Sequence, residues 1–336
     1  MFRTNGERIV LTPGKVLNGI RLTRPVNLLI IAGTMLVIRY GVIGALVGAS
    51  GLELQMPLMD FVMLILSTTA IAAGGNVIND YFDTRIDRVN KPQKVIVGRS
   101  IERRSAMLAH ALLSGTGLIL GLWVAWSSAN LRLFIIPVFA VGALWSYSIS
   151  FKRRFVIGNG TVAVLTALVP LTVGLYELPM LQRAYADELL EGLGSVDRMR
   201  TYFRVIWWWV AVYSAFAFLS TLVRELQKDM ADVPGDRADG CRTVPIVLGV
   251  QVARWWTIVY ILVLVGGILF LRRTFLHDPV SFWYLGLVVL ALLLTAGLTF
   301  AAKDRTGHVR AGNMMKVAMV LAVGYGLLVE RILLLE

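Results

Sequence analysis

The sequence predicts an all-α, polytopic membrane protein with about nine transmembrane helices around a central cavity. Of its 336 residues, 57% are hydrophobic and only 16% are charged, whereas a soluble domain usually carries about a quarter charged residues. The mean hydropathy of the chain is +0.71. No separate soluble domain or low-complexity tract is visible, so we expect one membrane domain over residues 1–336.

The predicted spans are apolar runs that are long enough to cross a bilayer. Residues 1–24 precede the first run and are expected to form a cytoplasmic or interfacial segment. Within that segment, "LTPGKVLNGIRLTRP" could lie on the membrane surface as a short amphipathic helix. The runs are 25–50, 58–79, 106–126, 131–148, 156–176, 203–223, 255–271, 281–302 and 314–335.

The distribution of basic residues predicts the orientation. With the N-terminus in the cytoplasm, most of the Lys and Arg residues fall in inside segments, as the positive-inside rule requires. The same rule accounts for the net charge of +12, so we expect no nucleic-acid partner. The chain is therefore predicted to be an integral protein of the plasma (inner) membrane, with its acid-rich loops on the cytoplasmic side.

Two acid-rich segments lie on that predicted cytoplasmic side. In "NVINDYFDTRIDRVNKP", Asn79, Asp83 and Asp87 are four residues apart and would share one face of a helix. In "RELQKDMADVPGDRADGCRTVPIVLG", the acids that step by three and four residues would also align on a helix; they are Asp229, Asp232 and Asp236. Acids at the edge of a bilayer are costly, so two such faces indicate a site.

Clustered carboxylates indicate a bound cation, since they repel one another without one. Oxygen ligands suit Mg²⁺, which often binds through one or two carboxylates together with substrate phosphates. Basic residues beside the acids fit a phosphate ligand; the candidates are Arg88, Lys91 and Arg237. A diphosphate head with a hydrocarbon tail would suit both this charged mouth and the apolar bundle.

The two segments resemble the motifs of the UbiA superfamily of intramembrane prenyltransferases. "NDYFDTRID" resembles the NDxxDxxxD motif, and "DMADVPGDRADGCRTVPIVLG" resembles the second Asp-rich motif. "WSYSISFKRRFVIGN" resembles the Tyr- and Lys-containing segment between them. The resemblance implies that a prenyl diphosphate binds through Mg²⁺, that the diphosphate leaves, and that a lipophilic acceptor attacks the allylic carbon in the membrane.

The resemblance also implies roles for individual residues. Asp83, Asp232, Tyr147 and Lys152 would be catalytic, with Lys152 also contacting substrate. The implied metal ligands are Asn79, Asp80, Asp83, Asp87, Asp229, Asp232 and Asp236. The resemblance implies substrate contacts at Asn79 and Lys152. Charge alone adds Arg88, Lys91 and Arg237, and Arg24 or Arg21 could serve an acceptor phosphate or carboxylate.

Pro234 departs from the helical pattern of the second segment. A proline inside a helix removes a backbone donor and clashes with the preceding turn. Asp232 could instead cap a new helix that has Pro234 in its first turn. Such a break would separate Asp236 from the face that carries the other two acids.

Several functional alternatives remain open at this point. The forms of the two motifs look most like the branch that uses a prenylglycerol phosphate acceptor, and an aromatic acceptor of quinone synthesis is the alternative. A secondary transporter is the runner-up of another class, although transporters tend to place charge near the midplane. For the first acid cluster alone, a solvated loop is the plain structural interpretation.

Overall fold

The computed structural model describes residues 13–334, which are helical apart from turns and one isolated bridge between Val97 and Ile101. The longest helices are α8 and α9, of 37 and 43 residues. In chain order the α-helices are α1 (Pro13–Leu22), α2 (Pro25–Leu36), α3 (Gly44–Gly48), α4 (Leu58–Phe82), α5 (Thr84–Asn90), α6 (Arg103–Ser127), α7 (Ile135–Ile149), α8 (Ile157–Leu193), α9 (Val196–Ala238), α10 (Val244–Val247), α11 (Val250–Thr274), α12 (Pro279–Ala301), α13 (Arg305–Gly324) and α14 (Val329–Leu333).

Eight of the described helical segments are long and apolar enough to cross a membrane, and they agree with the first eight predicted runs. The ninth predicted run, 314–335, lies in three pieces: α13, a 3₁₀ turn at Tyr325–Leu328, and α14. α13 begins at Arg305 and carries Arg310 and Lys316, which make it more polar than the other spans. The last residue of that run lies outside the described residues.

The polar segments are more helical than the sequence predicted. α9 extends about 65 Å, more than twice the hydrocarbon thickness of a bilayer. Residues 177–202, expected as an outside loop, are helical except for a turn at Gly194 and Ser195. Both acid-rich segments, expected between the spans with their acids on helix faces, do form helices: the end of α4 with α5, and the end of α9. A helix that leaves the bilayer can carry polar residues, so polarity alone did not mark its end.

Small residues allow α4 and α6 to pack closely in the bundle. Gly117 of α6 faces Ile71 of α4, where an added Cβ would lie 2.5 Å from the Ile71 side chain. Gly74 of α4 faces Ser114 of α6 at 2.6 Å by the same measure. Side chains larger than hydrogen would separate the two helices at these points.

An apolar cavity lies between α4, α6, α7 and α8. Its lining includes Ile71 of α4, Ala140 of α7 and Leu168 of α8. Ile71 precedes Asn79 by about 12 Å along the same helix, so the cavity lies beneath the first acid-rich segment. Such a chamber offers a dry environment to a hydrocarbon chain.

A buried ion pair lies at the opposite end of the bundle from the acid-rich segments. Arg39, in a π-helical turn over Val37–Ile43, donates from Nε to Oε2 of Glu177 at 2.9 Å. The other Glu177 oxygen accepts the backbone N–H groups of Gln55 at 2.6 Å and Met56 at 2.9 Å. These contacts attach the segment before α4 to the π-helical turn and to α8.

Candidate active site

The two acid-rich segments meet at one end of the bundle, where α5 packs against the end of α9. The first segment bends after Asp83, which ends α4 and precedes α5. Asn79 donates to Oδ2 of Asp83 at 2.9 Å, so these two side chains share a face as predicted. The backbone N–H of Asp87 bonds to the Asp83 carbonyl at 2.8 Å, which keeps the helical path across the bend.

Lys152 contacts the same Asp83 carboxylate from the segment after α7. Its Nζ donates to Oδ1 of Asp83, and both side chains are nearly buried. Lys152 lies in a 3₁₀ turn that Gly158 of α8 approaches closely: an added Cβ at Gly158 would lie 2.8 Å from the Lys152 Cα. The predicted Lys152 is therefore brought to the first acid-rich segment.

Asp232 is the corresponding carboxylate of the second segment. Its Oδ2 accepts from Nζ of Lys91 at 2.9 Å, and its Oδ1 lies 3.5 Å from Nη2 of Arg305. The Lys91 contact was anticipated only as nearby charge, and Arg305 was not anticipated at all. Arg305 begins α13, more than 70 residues further along the chain, so no local pattern points to it.

Arg24 and Asp80 form a third ion pair at 2.5 Å. Arg24 has a left-handed backbone, with φ of 56°, immediately before Pro25. Asn76 donates to the Thr23 carbonyl at 2.9 Å, which attaches this turn to α4. The Asp80 carboxylate therefore faces Arg24.

The acids of α9 have partners that the sequence did not reveal. Asp229 accepts from Nδ2 of Asn159 at 2.9 Å. One turn before it, the buried Glu225 pairs with Arg224 at 2.8 Å and Lys228 at 3.3 Å. Asn159 carries no spacing signal, whereas Glu225 precedes Asp229 by four residues and so extends the helical spacing of the acids in α9.

Tyr147 of α7 lies in the same charged environment. It interacts electrostatically with Lys228 and Glu225 of α9, with Lys152 after α7, and with Asp83 at the end of α4. Arg88 and Arg237, by contrast, are exposed, and neither takes part in an ion pair within residues 13–334. Tyr147 is thus placed with the acids, whereas these two arginines are not.

Local charges perturb groups that lie outside the spans. Burial raises the pKa of Asp87, the negative charge of Asp83 raises it further, and Lys91 opposes the shift. Burial lowers the pKa of Lys152, but the Asp83 carboxylate and Tyr147 together outweigh this effect, and the pKa lies above its ordinary value. Lys152 therefore remains a cation.

Pro234 does not break α9, so the expectation that Asp232 caps a new helix is wrong. The helix continues through Pro234 to Ala238. Asn90, the last residue of α5, donates to the Asp232 carbonyl at 3.1 Å and accepts the Gly235 N–H at 2.9 Å. These bonds support the helix where proline weakens it, so Asp232 and Asp236 stay on one helix.

The acids fit a Mg²⁺ site that is completed by a substrate phosphate. Among the described residues, no group of three or more His, Cys, Asp or Glu side chains forms a metal cage by itself. Mg²⁺ needs only one or two carboxylates when phosphate oxygens supply further ligands. Oδ1 of Asn79 is buried without a protein partner beside Asp83, as an oxygen awaiting a ligand would be.

Comparisons with known proteins agree with this arrangement. The sequence profile described as the UbiA prenyltransferase family matches residues 28–320. Digeranylgeranylglyceryl phosphate synthase of Thermococcus kodakarensis is 29% identical over 308 residues, covering 90% of this chain and 94% of that protein. The protein of the same name from Methanothermobacter thermautotrophicus is 32% identical over 275 residues, covering 78% and 83%.

A solved structure has the same fold. A UbiA homologue from Archaeoglobus fulgidus, bound to GPP and Mg²⁺, has a TM-score of 0.56 at 15% identity, covering 94% of this chain and 99% of that one. The bundle and its charged end thus define a polytopic intramembrane enzyme. The chain belongs to the UbiA prenyltransferase family. The prediction of a membrane prenyltransferase is confirmed, and the transporter alternative is set aside.

Proposed function

We propose that this protein transfers a prenyl group from a prenyl diphosphate to a prenylglycerol phosphate, in a Mg²⁺-dependent reaction within the membrane. One observation carries the proposal: an acid from each segment is paired with a lysine at the same end of an apolar bundle. These pairs are Lys152 with Asp83, and Lys91 with Asp232 at 2.9 Å. Paired acids and cations suit a metal-bound diphosphate better than a free cation.

In the proposed site, the acidic side chains would hold the metal ion and the cationic side chains would contact the phosphates. Bound Mg²⁺ would neutralise charge on the diphosphate. The side chains proposed to hold it are Asn79, Asp80, Asp83, Asp87, Asp229, Asp232 and Asp236. Lys152 and Lys91 would contact phosphate oxygens and stabilise the negative charge that grows as the bond from carbon 1 to oxygen breaks. The exposed Arg88 and Arg237 would need to turn inward to contribute.

The acceptor completes the reaction below the diphosphate. Its hydroxyl oxygen forms the new bond to carbon 1 and releases a proton, for which the departing diphosphate is an acceptor within the site. Tyr147 would present its ring to the positive charge that develops on the allylic carbon. The apolar cavity beneath Asn79 would house the hydrocarbon chain and exclude water, which would otherwise trap the cation.

The acceptor phosphate would bind to cations that lie beside the metal-facing acids. Arg24 is one, because its side chain is 39% exposed despite its pairing with Asp80. Lys228 is another, because it directly precedes Asp229 in α9 and its side chain is 40% exposed despite its pairing with Glu225. The names of the two archaeal relatives also favour a glycerol phosphate acceptor.

The membrane orientation belongs to the same proposal. We place the acid-rich end and the N-terminus in the cytoplasm of a plasma (inner) membrane, because the basic residues concentrate at that end. Water-soluble Mg²⁺ and released diphosphate would then exchange with the cytoplasm. Labelling of single cysteines introduced at Arg99 and Leu131, in right-side-out vesicles, tests this orientation.

Reconstitution tests the reaction. The purified full chain would receive Mg²⁺, prenyl diphosphates of increasing length, and either geranylgeranylglyceryl phosphate or 4-hydroxybenzoate. We expect an ether product and diphosphate release with the glycerol phosphate, loss of both with Asp83→Asn, and no loss with the distant, exposed Glu188→Gln. A product formed only with 4-hydroxybenzoate would overturn the acceptor, and no Mg²⁺-dependent release with either would overturn the function.

A further inference from the structure

Asn90 joins the two acid-rich segments by a direct contact with the backbone of α9. Its amide donates from Nδ2 to the Asp232 carbonyl at 3.1 Å. Its Oδ1 accepts the backbone N–H of Gly235 at 2.9 Å. Both contacts are buried, and Asn90 itself is only 9% exposed. A single side chain therefore satisfies one acceptor and one donor on either side of Pro234.

Pro234 explains why α9 needs these bonds. Proline has no backbone N–H, and its ring pushes away the carbonyl four residues earlier. In a regular helix the Gly235 N–H would bond to the Ala231 carbonyl, but here it bonds to Asn90. Unpaired backbone groups at this depth would be costly. Asn90 gives the Gly235 N–H, directly after the proline, a partner outside the helix and adds a donor to the Asp232 carbonyl.

Gly235 makes the contact possible, because it has no side chain. An added Cβ at Gly235 would lie 2.5 Å from Cγ of Asn90, which real atoms do not tolerate. Asn90 cannot move away easily, since it ends α5 and the next residue, Lys91, pairs with Asp232. The glycine and the asparagine therefore fit as a pair.

We infer that Asn90 is a positioning residue that sets the separation and orientation of the two metal-facing acid walls. Asp87 lies on the same short helix as Asn90, and Asp232 and Asp236 flank the turn that Asn90 holds. Both the amide nitrogen and the amide oxygen of Asn90 are bonded to the α9 backbone, so Asn90 acts through these acids rather than on substrate. The effect of Asn90 on metal binding rests on the proposed function. Its structural role, which is to hold α5 against the turn of α9 around Pro234, does not.

Mn²⁺ binding tests the inference without relying on turnover. Electron paramagnetic resonance would count Mn²⁺ bound to the full chain in the presence of inorganic diphosphate. Loss of outer contacts to a metal site typically weakens metal binding about 10- to 100-fold. We expect a loss of this size for Asn90→Ala and Gly235→Ala. The control is Gly297→Ala, at a helical glycine where an added Cβ meets nothing within 4 Å, and it should bind as wild type.

A rescue variant separates positioning from general damage. Pro234→Ala restores the missing N–H and lets α9 close its own bonds. We expect Asn90→Ala/Pro234→Ala to recover part of the affinity that Asn90→Ala loses. Wild-type affinity in Asn90→Ala, or no recovery in the double variant, would overturn the inference.

A measurement of thermal stability distinguishes failure of the Asn90 inference from failure of the proposed function. The thermal stabilities of wild type, both single variants and the double variant form a cycle that reports the Asn90–Pro234 coupling even if no Mn²⁺ binds. If the stabilities show coupling but wild type binds no Mn²⁺, the proposed metal site is contradicted and the structural role of Asn90 stands. If the effects on stability are additive, the structural role of Asn90 is contradicted.

Discussion

Lys152 and Asn79 donate to opposite oxygens of a single carboxylate, that of Asp83. Lys152 comes from the turn after α7 and Asn79 from the last turns of α4, so Asp83 joins two separate parts of the bundle. The carboxylate is thus oriented before any substrate arrives. This preorganisation is what electrostatic catalysis requires.

Replacing Lys152 should slow catalysis much more than it weakens binding of the donor. Lys152→Met keeps the apolar stem and removes the cation that would stabilise the departing diphosphate. Loss of one such group typically costs about 10²- to 10³-fold in kcat. Steady-state kinetics with purified protein would measure it, with Lys303→Met as a control. A kcat within about twofold of wild type would contradict the role.

Gly158→Ala should impair the enzyme by displacing Lys152. The new Cβ would lie 2.8 Å from the Lys152 Cα and 2.9 Å from the Phe151 carbonyl, so the turn must shift. A shift of about 1 Å in a catalytic group can cost about 10²-fold in rate. Gly160→Ala is the matched control, because no atom lies within 4 Å of its new Cβ. Equal activities of the two variants would exclude this account.

The sequence predicted the spans and the shared helix face of Asn79 and Asp83 correctly, because both depend on local pattern. Apolar runs and four-residue spacings are visible in one dimension, and the contact between Asn79 and Asp83 followed from them. Contacts between distant segments have no pattern in the sequence. Arg305 and Asn159 contact the acids only because α13 and α8 pack beside them.

Pro234 shows the same limit from the opposite direction. The proline correctly indicated that α9 is weakened at Pro234, but the side chain that stabilises it there, Asn90, lies on α5. The bound side chain of Asn90 belongs to another segment, 145 residues from Gly235. The second acid-rich segment alone carried two opposed signals, the helical spacing of its acids and Pro234, and only the contact with Asn90 shows why the helix continues.

Cys241 should resist alkylation in the folded protein. The thiol is buried, and burial together with the nearby Asp236 charge raises its pKa to about 11. At pH 8 only about one thiol in a thousand would be the reactive thiolate. Mass spectrometry after maleimide treatment should find little label, and unfolding in SDS should restore labelling. Cys241 is the single cysteine of the chain, so rapid labelling of the folded state would refute the prediction directly.

Metal binding should weaken as the pH falls, and earlier than for an ordinary aspartate. Burial and Asp83 raise the folded-state pKa of Asp87, so Asp87 takes up a proton at a higher pH than a solvated carboxylate. A protonated carboxyl group no longer attracts the cation. Mn²⁺ titrations at a series of pH values should show this loss, and Asp87→Asn should reduce the pH dependence.

The exposed Asp187→Asn, on α8, is the control for that titration. Higher metal concentration should move the midpoint of the loss to lower pH, because metal and proton compete for one group. A midpoint that ignores metal concentration would show that the titrating group is not a ligand.

Glu177→Gln should destabilise the bundle strongly without touching the acid-rich end. Glu177 is fully buried and accepts from Arg39 and from the backbone of Gln55 and Met56. Removing one partner of a buried ion pair typically costs about 3–5 kcal/mol, because the other charge is left uncompensated. Arg39→Met/Glu177→Gln removes both charges, keeps a side-chain oxygen that can accept the Gln55 and Met56 N–H groups, and should cost less than Glu177→Gln alone. Unfolding in mixed detergent and SDS micelles would measure both, with the exposed Glu188→Gln as reference. A change below about 0.5 kcal/mol for Glu177→Gln would show that the pair contributes nothing to holding the π-helical turn against α8.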